Sequence, residues 1–371
     1  MKKQEIRNSI MALDNKLFFP YVPANRLEQY YIFKDRTPAE YIKYEHFDGP
    51  ASLNAHFKEC TEGWWPMEKF YFCYTDKCVI EPSVGWVLTK KEEIIPQSLW
   101  NNYIHKVNKP SYLKYKLQPK KKLYIEEAIS LQYAWGNYWH FQNDILGQLR
   151  MADLSGVSID TPVIIAAGLK DMSYFKEIVA LSPSLQTRNW ILQDRSTNIH
   201  CEKVHLFHTW WDHRDNFDAV KNYIGFDKLT KFANAGNRRI FIDRKQSRGR
   251  NISNIEAIYS LLRKYEFELV DCDNLTVQEQ IELFRSAGYV IGIHGAGLTN
   301  VMYREGNDMR LLEIFSNKYF NPCYYWLCLQ YGYSYAGIVG TAIDDTPGSL
   351  GAFTIDVAEF EAKIVRMLEQ N

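Results

Sequence analysis

Between residues 239 and 315 the chain alternates short apolar runs with amphipathic segments, and that rhythm restricts the fold more than any other feature. Arg239-Ile240-Phe241-Ile242, Phe267-Glu268-Leu269-Val270, Tyr289-Val290-Ile291-Gly292-Ile293 and Leu311-Leu312-Glu313-Ile314-Phe315 read as strands. Ile255, Ile258, Leu261 and Leu262 mark the buried face of a helix over 254–265. Thr276-Val277-Gln278-Glu279 is a capping box that opens a second helix through Phe284, because Thr at the cap and Glu three residues on each satisfy an orphan N–H. A further helix is expected from about residue 320. Strands joined through helices run parallel, since tight hairpins join only antiparallel neighbours. The predicted class is therefore α/β, with a parallel doubly wound sheet.

The third of these strands runs into His294-Gly295-Ala296-Gly297-Leu298-Thr299-Asn300. A strand, a glycine turn and a helix start bring free backbone N–H groups beside a positive dipole end, which favours an anion. Two readings remain open: a phosphate or nucleotide site, or turn chemistry with a structural histidine. Arg244-Lys245-Gln246-Ser247-Arg248-Gly249-Arg250 occupies the equivalent place after the strand at 239–242. If the two strands are neighbours, both loops share one rim of the sheet. Guanidinium groups keep their charge and fork onto two phosphate oxygens, so Arg244, Arg248 and Arg250 suit a diphosphate. Glu313, near the end of the next strand, is placed either to accept the hydroxyls of a ribose or to serve as an ordinary strand-end acid.

The rest of the chain is less regular. The whole chain has 371 residues, 46% hydrophobic, which fits a globular protein of two or three domains. Lys plus Arg equals Asp plus Glu at 44 each, so no global field draws in nucleic acid, and none is expected as a partner. Neither a secretory leader nor an apolar run of membrane-spanning length is read, so the expected location is cytoplasmic, with at most peripheral contact at the inner face of the membrane. The seven cysteines are scattered without C-x-x-C spacing, which fits free thiols in a reducing compartment and neither zinc nor redox motifs. Residues 1–130 read as an irregular part with short strands, among them Phe70–Tyr74 and Gly85–Leu88, and Lys120-Lys121-Lys122 reads as a solvated turn. A helix over 137–150, a strand over 161–166, a helix over 171–181 and an apolar stretch at Val204–Phe207 follow. A domain boundary is placed at the small, polar run Phe232–Asn237. At the C-terminal end, Asp356 caps a helix whose stripe is Val357, Phe360, Ile364 and Leu368.

Taken in order, Arg244, Arg250, Asn254, Gln280 within Glu279-Gln280-Ile281, the run His294 to Asn300, and Glu313 resemble the signature of glycosyltransferase family 61. Upstream, Asn137-Tyr138-Trp139-His140-Phe141 with Asp144 resembles that family's Asn-aromatic-aromatic-His element. The family usually has an acidic residue after the asparagine matched by Asn254, where this chain has Ile255. The likeness is nearest to the bacterial capsule and lipopolysaccharide enzymes. It implies a GT-B architecture of two Rossmann-like lobes facing a cleft. Residues 1–232 would form an acceptor-binding lobe and 233–355 a lobe for the nucleotide-sugar, with 356–371 packing back on the first lobe. It further implies inverting transfer from a UDP-sugar to an oligosaccharide or glycolipid acceptor, with no cofactor and no metal. The donor site would comprise Arg244, Arg248, Arg250, Asn254, His294, Gly295, Ala296, Gly297, Leu298, Asn300 and Glu313.

Within that frame the base is expected from His140 and Asp144, one helical turn apart on one face, with Asp144 orienting the ring. Asn137, Trp210, Trp211 and Asp212 are expected at the acceptor, the indoles stacking on sugar and Asp212 standing as a reserve base. A non-catalytic glycan- or nucleotide-binding protein on the same scaffold is the alternative. A dinucleotide oxidoreductase is disfavoured, because His294 stands where the second glycine of G-x-G-x-x-G would let pyrophosphate approach the backbone. UDP-xylose, UDP-galactose and UDP-N-acetylhexosamines all remain open as donors.

Overall fold

The structure is a computed structural model that describes residues 19–35, 42–63, 69–83, 85–98, 111–131, 137–209, 212–229, 236–244, 249–343 and 351–369. The chain divides into two compact units, one from residues 1–36 and 67–211, the other from 37–66 and 212–371. Each is α/β. The expected boundary near 232 therefore differs from the observed division at 211, and an early segment belongs with the late one. Among the described residues no helix is long and apolar enough to cross a membrane.

In the first unit the strands are β1 (Tyr31–Asp35), β2 (Lys69–Tyr74), β3 (Cys78–Ile80), β4 (Val87–Thr89), β5 (Ile94–Ile95), β6 (Lys121–Ser130), β7 (Val163–Ala166), β8 (Trp190–Gln193) and β9 (Thr197–His208). They form one sheet in the order β5-β4-β3-β9-β6-β7-β8, with β2 beside β9 and β1 beside β2. β6 pairs parallel with β7 and β9, and β7 with β8, whereas β2 and β3 pair antiparallel with β9. The alternation in β2 explains its two faces. Phe70, Phe72 and Tyr74 enter a core with Ala128, Ile164, Val204 and Leu206, while Tyr71 stacks on Phe207 on the other side. Lys121 and Lys122 open the ten-residue β6 rather than forming a turn, since their backbone pairs with β9 while their side chains stay exposed. The expected stretch at 204–207 is only the buried end of β9.

In the second unit β10 (Arg238–Ile242), β11 (Glu268–Val270), β12 (Ala287–Ile293), β13 (Arg310–Ser316) and β14 (Ser334–Ala342) run parallel, and β15 (Phe353–Thr354) is antiparallel. Their spatial order is β11-β10-β12-β13-β14-β15. Counted from β10 this is 2-1-3-4-5, and the order reverses between β10 and β12. In open α/β sheets that reversal is where the carboxyl ends open onto a ligand crevice. One face carries Phe241, Ile291, Leu312, Ile314 and Ile338, covered by helices Ile255–Lys264 and Val357–Glu369. The capping box is present, with Thr276 N–H on Glu279 Oε2 (2.7 Å) and Glu279 N–H on Thr276 Oγ1 (3.2 Å).

The early segment is built into this second unit. Asp48 bridges to Ala336, the Tyr325 hydroxyl donates to the Glu45 carbonyl (2.7 Å), and Trp326 Nε1 donates to Thr61 Oγ1 (2.9 Å). The last helix, expected to pack back on residues 1–232, touches that stretch at Asp48, which belongs to the second unit. Phe360, Ile364 and Met367 join the second unit's own core. Lys363 Nζ reaches Asp48 Oδ1 at 2.6 Å and Arg366 Nε reaches Oδ2 at 3.0 Å. Burial alone would raise the Asp48 carboxyl, but these two cations hold it below its ordinary 3.8.

A carboxyl held low in the folded state stabilises at pH values above its unfolded value and loses that contribution as pH falls through the native one. Asp48→Asn is therefore expected to cost about 1–2 kcal/mol at neutral pH, with most of the pair's exposed part screened. Urea unfolding at pH 7 and pH 3 checks this: the difference from wild type should shrink at the lower pH.

Candidate functional site

The two loops expected on one rim do meet. β10 and β12 are hydrogen-bonded neighbours, Ile242 lying opposite Gly292, so Arg244 and His294 both leave the sheet at its carboxyl edge. Arg250 Nη1 donates to the His294 carbonyl. A Cβ built on Gly295 would lie 2.6 Å from Arg244 Nη1, so the glycine is what allows that guanidinium to lie against the turn. Arg244 N–H is itself anchored on Asp243 Oδ1 (2.8 Å). Arg248 lies outside the described residues.

Arg250 is held in a left-handed backbone conformation (φ 58°), beside Gly249 at φ 70°. Such a conformation in a residue with a side chain costs on the order of 1 kcal/mol and marks a position the surroundings over-determine. Burial lowers the proton affinity of this guanidinium, opposed by the fields of Tyr319, Tyr324 and Glu313. Its Nε is buried with no hydrogen-bond partner among the described residues. A largely buried cation with an unsatisfied N–H is an incomplete arrangement, and an anion completes it.

The glycine turn leads into a 3-10 helix, Ala296–Tyr303, rather than an α-helix. Its first bond runs from the Leu298 N–H to the Gly295 carbonyl (3.0 Å), so the N–H groups of Gly295, Ala296 and Gly297 precede it. Leu298 is fully buried and fills the space left open at Gly292, where a Cβ would lie 2.9 Å from Leu298 Cδ2. Asn300 is fully buried too; its amide donates to Gln280 Oε1 (2.7 Å) and to the Gly297 carbonyl (3.2 Å). Gln280 in turn holds the carbonyls of Cys272 and Leu275 (3.0 Å each). Asn300 and Gln280 thus brace the turn from within.

Two expected donor-site residues face elsewhere. Asn254 clamps the backbone of Ile355, donating to its carbonyl (2.8 Å) and accepting from its N–H (3.1 Å), so its amide ties the start of the last helix. Glu313 has no exposed surface. Its Oε1 meets His294 Nδ1 at 2.6 Å and its Oε2 accepts from the Tyr335 hydroxyl at 2.7 Å, which places the carboxylate beneath the histidine instead of at a ribose. The His294 ring stacks on Phe315 (centroids 5.3 Å apart) and is flanked by Tyr319 and Tyr324. The Tyr324 hydroxyl donates to the Gly295 carbonyl (2.7 Å).

In the first unit His140 Nδ1 meets Asp144 Oδ2 at 2.5 Å. Asp144 is buried, and its Oδ1 accepts from Asn143 Nδ2 (2.6 Å). The expected helix over 137–150 extends to Leu154 and contains a π-helical stretch, Phe141–Leu146, which carries Asp144. Such wide turns recur at functional sites. Asn137 is the cap of this helix, its Oδ1 accepting from the His140 N–H (3.0 Å). Trp210 and Trp211 lie outside the described residues. Asp212 belongs to the second unit, is buried, and has a left-handed backbone (φ 50°). Its charge adds to the burial that pushes up the Cys323 thiol, and the Glu313 carboxylate acts in the same direction.

The reading that the sequence holds no Asp-x-Asp, in support of metal-free transfer, is incorrect: Asp271-Cys272-Asp273 has this spacing, of the kind that holds divalent ions. The structure sets it on the loop after β11. Asp271 caps its own turn there, accepting from the Asp273 N–H (3.0 Å) and the Asn274 amide (3.0 Å). Burial pushes the Cys272 thiol up to about 12. Among the described residues no group of three or more His, Cys, Asp or Glu side chains is placed to hold a metal ion.

Residues 138–310 match the family Glycosyltransferase 61. The matched stretch includes His140 and Asp144 in the first unit and Arg244 to Asn300 in the second, and it supports glycosyltransferase activity in general. No curated protein matches the chain.

The Gly295 contact yields a direct test. The Gly295 backbone is extended (φ 166°), so Gly295→Ala adds no backbone strain and only displaces the end of Arg244. Thermal melting should change little, while calorimetry should show pyrophosphate affinity falling about tenfold, or ~1.4 kcal/mol.

Proposed function

We propose that this chain is an inverting, metal-independent glycosyltransferase that moves a sugar from a UDP-sugar to a hydroxyl of an oligosaccharide or glycolipid acceptor. The reading includes work on a surface polysaccharide such as capsule or lipopolysaccharide, in the cytoplasm or peripherally at the inner face of the membrane. The observation that carries it is the convergence of Arg244, Arg250 and the glycine turn at the β10–β12 reversal, within a stretch that matches a glycosyltransferase family. The donor is assigned to the second unit and the acceptor to the first, as in the GT-B architecture.

The reaction is a single displacement. The acceptor oxygen bonds to the anomeric carbon as the bond from that carbon to the β-phosphate oxygen breaks, and the nucleotide leaves as UDP. Negative charge grows on the departing phosphate. Arg244, Arg250 and the N–H groups of Gly295, Ala296 and Gly297 are already oriented, so they stabilise that charge more than they stabilise the bound donor. The acceptor proton passes to His140. With Nδ1–H directed at Asp144, the other ring nitrogen, Nε2, is the basic one, and the buried carboxylate stabilises the imidazolium that results.

Release of UDP from a UDP-sugar panel, with and without candidate acceptors, tests the reading. Arg250→Ala should weaken UDP binding by about tenfold or more and abolish transfer. His140→Ala and Asp144→Asn should lower kcat by about 10²–10⁴ while sparing UDP affinity. EDTA should leave turnover unchanged. Tight UDP binding with no sugar consumed under any acceptor would favour the non-catalytic binding protein instead.

A further inference from the structure

Glu313 is a buried carboxylate in the middle of a sheet, and a diphosphate cradle does not by itself explain it. Its in-register neighbours on β12 and β14 are Gly292 and Gly337, so no side chain stands directly beside it on either strand. Both oxygens are engaged by donors that point inward, His294 Nδ1 and the Tyr335 hydroxyl. With the carboxylate as acceptor, the shared proton lies on Nδ1. Nε2 is left as the nitrogen that changes state; it takes no hydrogen bond from the described residues.

We propose that Glu313 and Tyr335 are positioning residues that set the proton state of His294, and that His294 takes up a proton at Nε2 to become a donor to the nucleotide's diphosphate. This rests on the donor-site reading above. A neutral ring with Nδ1–H presents a lone pair at Nε2 and repels a phosphate oxygen; the imidazolium presents N–H and holds it. Anion binding and proton uptake are therefore linked, and affinity is greatest at low pH and declines as pH rises through the histidine's titration. The charged groups around the His294–Glu313 pair are Glu313 itself on β13, Arg250, bonded to the His294 carbonyl, and Arg244, beside Gly295. Tyr319, Cys323, Tyr324 and Cys328, which follow β13, and Tyr335 on β14 are kept neutral, since burial raises all five.

The two positioning residues act in opposite senses. Glu313→Gln removes the counter-charge and should move the pH midpoint for UDP binding down. Tyr335→Phe removes a donor that shares the carboxylate's charge, leaves more of it to the ring, and should move the midpoint up. A merely structural disturbance would not separate the two variants in this way.

The experiment is calorimetric titration with UDP across about pH 5.5–8.5, in buffers of differing ionisation enthalpy to count protons. His294→Ala serves as the reference that carries the nucleotide's own titration. The expected result is proton uptake beyond that reference in wild type, a midpoint lowered by about one unit or more in Glu313→Gln, and a raised midpoint in Tyr335→Phe. Wild-type curves that superimpose on His294→Ala, or variants that shift together, overturn the proposal while leaving the donor site intact. Wild type that binds no UDP at any pH overturns the donor-site reading itself. Should Glu313→Gln fail to fold, the direction of the Tyr335→Phe shift decides alone.

Discussion

The second unit is organised around a guanidinium that is mostly removed from water and meets no carboxylate at ion-pair distance among the described residues. Among the described residues Arg250 has a strained backbone, one bond to a main-chain carbonyl and one buried N–H with nothing to accept it. Desolvating a cation this way is unfavourable unless something nearby offsets it. The fields of Glu313, Tyr319 and Tyr324 do part of that. The remainder is an unmet demand for negative charge at the carboxyl edge of a parallel sheet. The glycine turn, the Gln280–Asn300 brace and the Tyr324 contact to Gly295 all keep the opposite wall of this place rigid.

Each unit holds a histidine whose Nδ1 meets a buried carboxylate, in different surroundings. His140 and Asp144 lie on one helix, widened by a π turn, with amide and main-chain groups around them. His294 and Glu313 lie on neighbouring strands, with two guanidiniums close to the histidine's own backbone and turn.

Periodicity made the second sheet legible almost residue by residue, because every strand but the last two of that sheet is an apolar run bounded by a helix with its own start signal. The adjacency of the loops after β10 and β12 followed from that order. What stayed hidden depends on distant partners. Asn254 looks like a ligand residue by position, and only the arrival of Ile355, a hundred residues later, shows what its amide holds. Glu313 sits in an apolar run, and nothing local says that His294 and Tyr335 lie beneath and beside it. Lys121 and Lys122 read as a turn because composition reports solvent and not backbone pairing; they open β6 at its exposed end, and their partners on β9 are seventy-six residues away. The Asp-x-Asp triplet shows the converse, a recognisable spacing whose leading carboxylate is occupied in holding its own turn.

The early segment at 42–63 has a consequence for how the molecule is made. Asn54 organises it, accepting from Tyr44 and donating to the carbonyls of Phe47 and Gly49. The surface it covers runs from Tyr325 and Trp326 through Ala336 to Lys363, so its partners lie 265 to 315 residues further along the chain. In synthesis order the second unit therefore closes only after residues 67–211 of the first have been made, and a chain rearranged so that the early segment runs directly into residue 212 would convert a long-range closure into a local one.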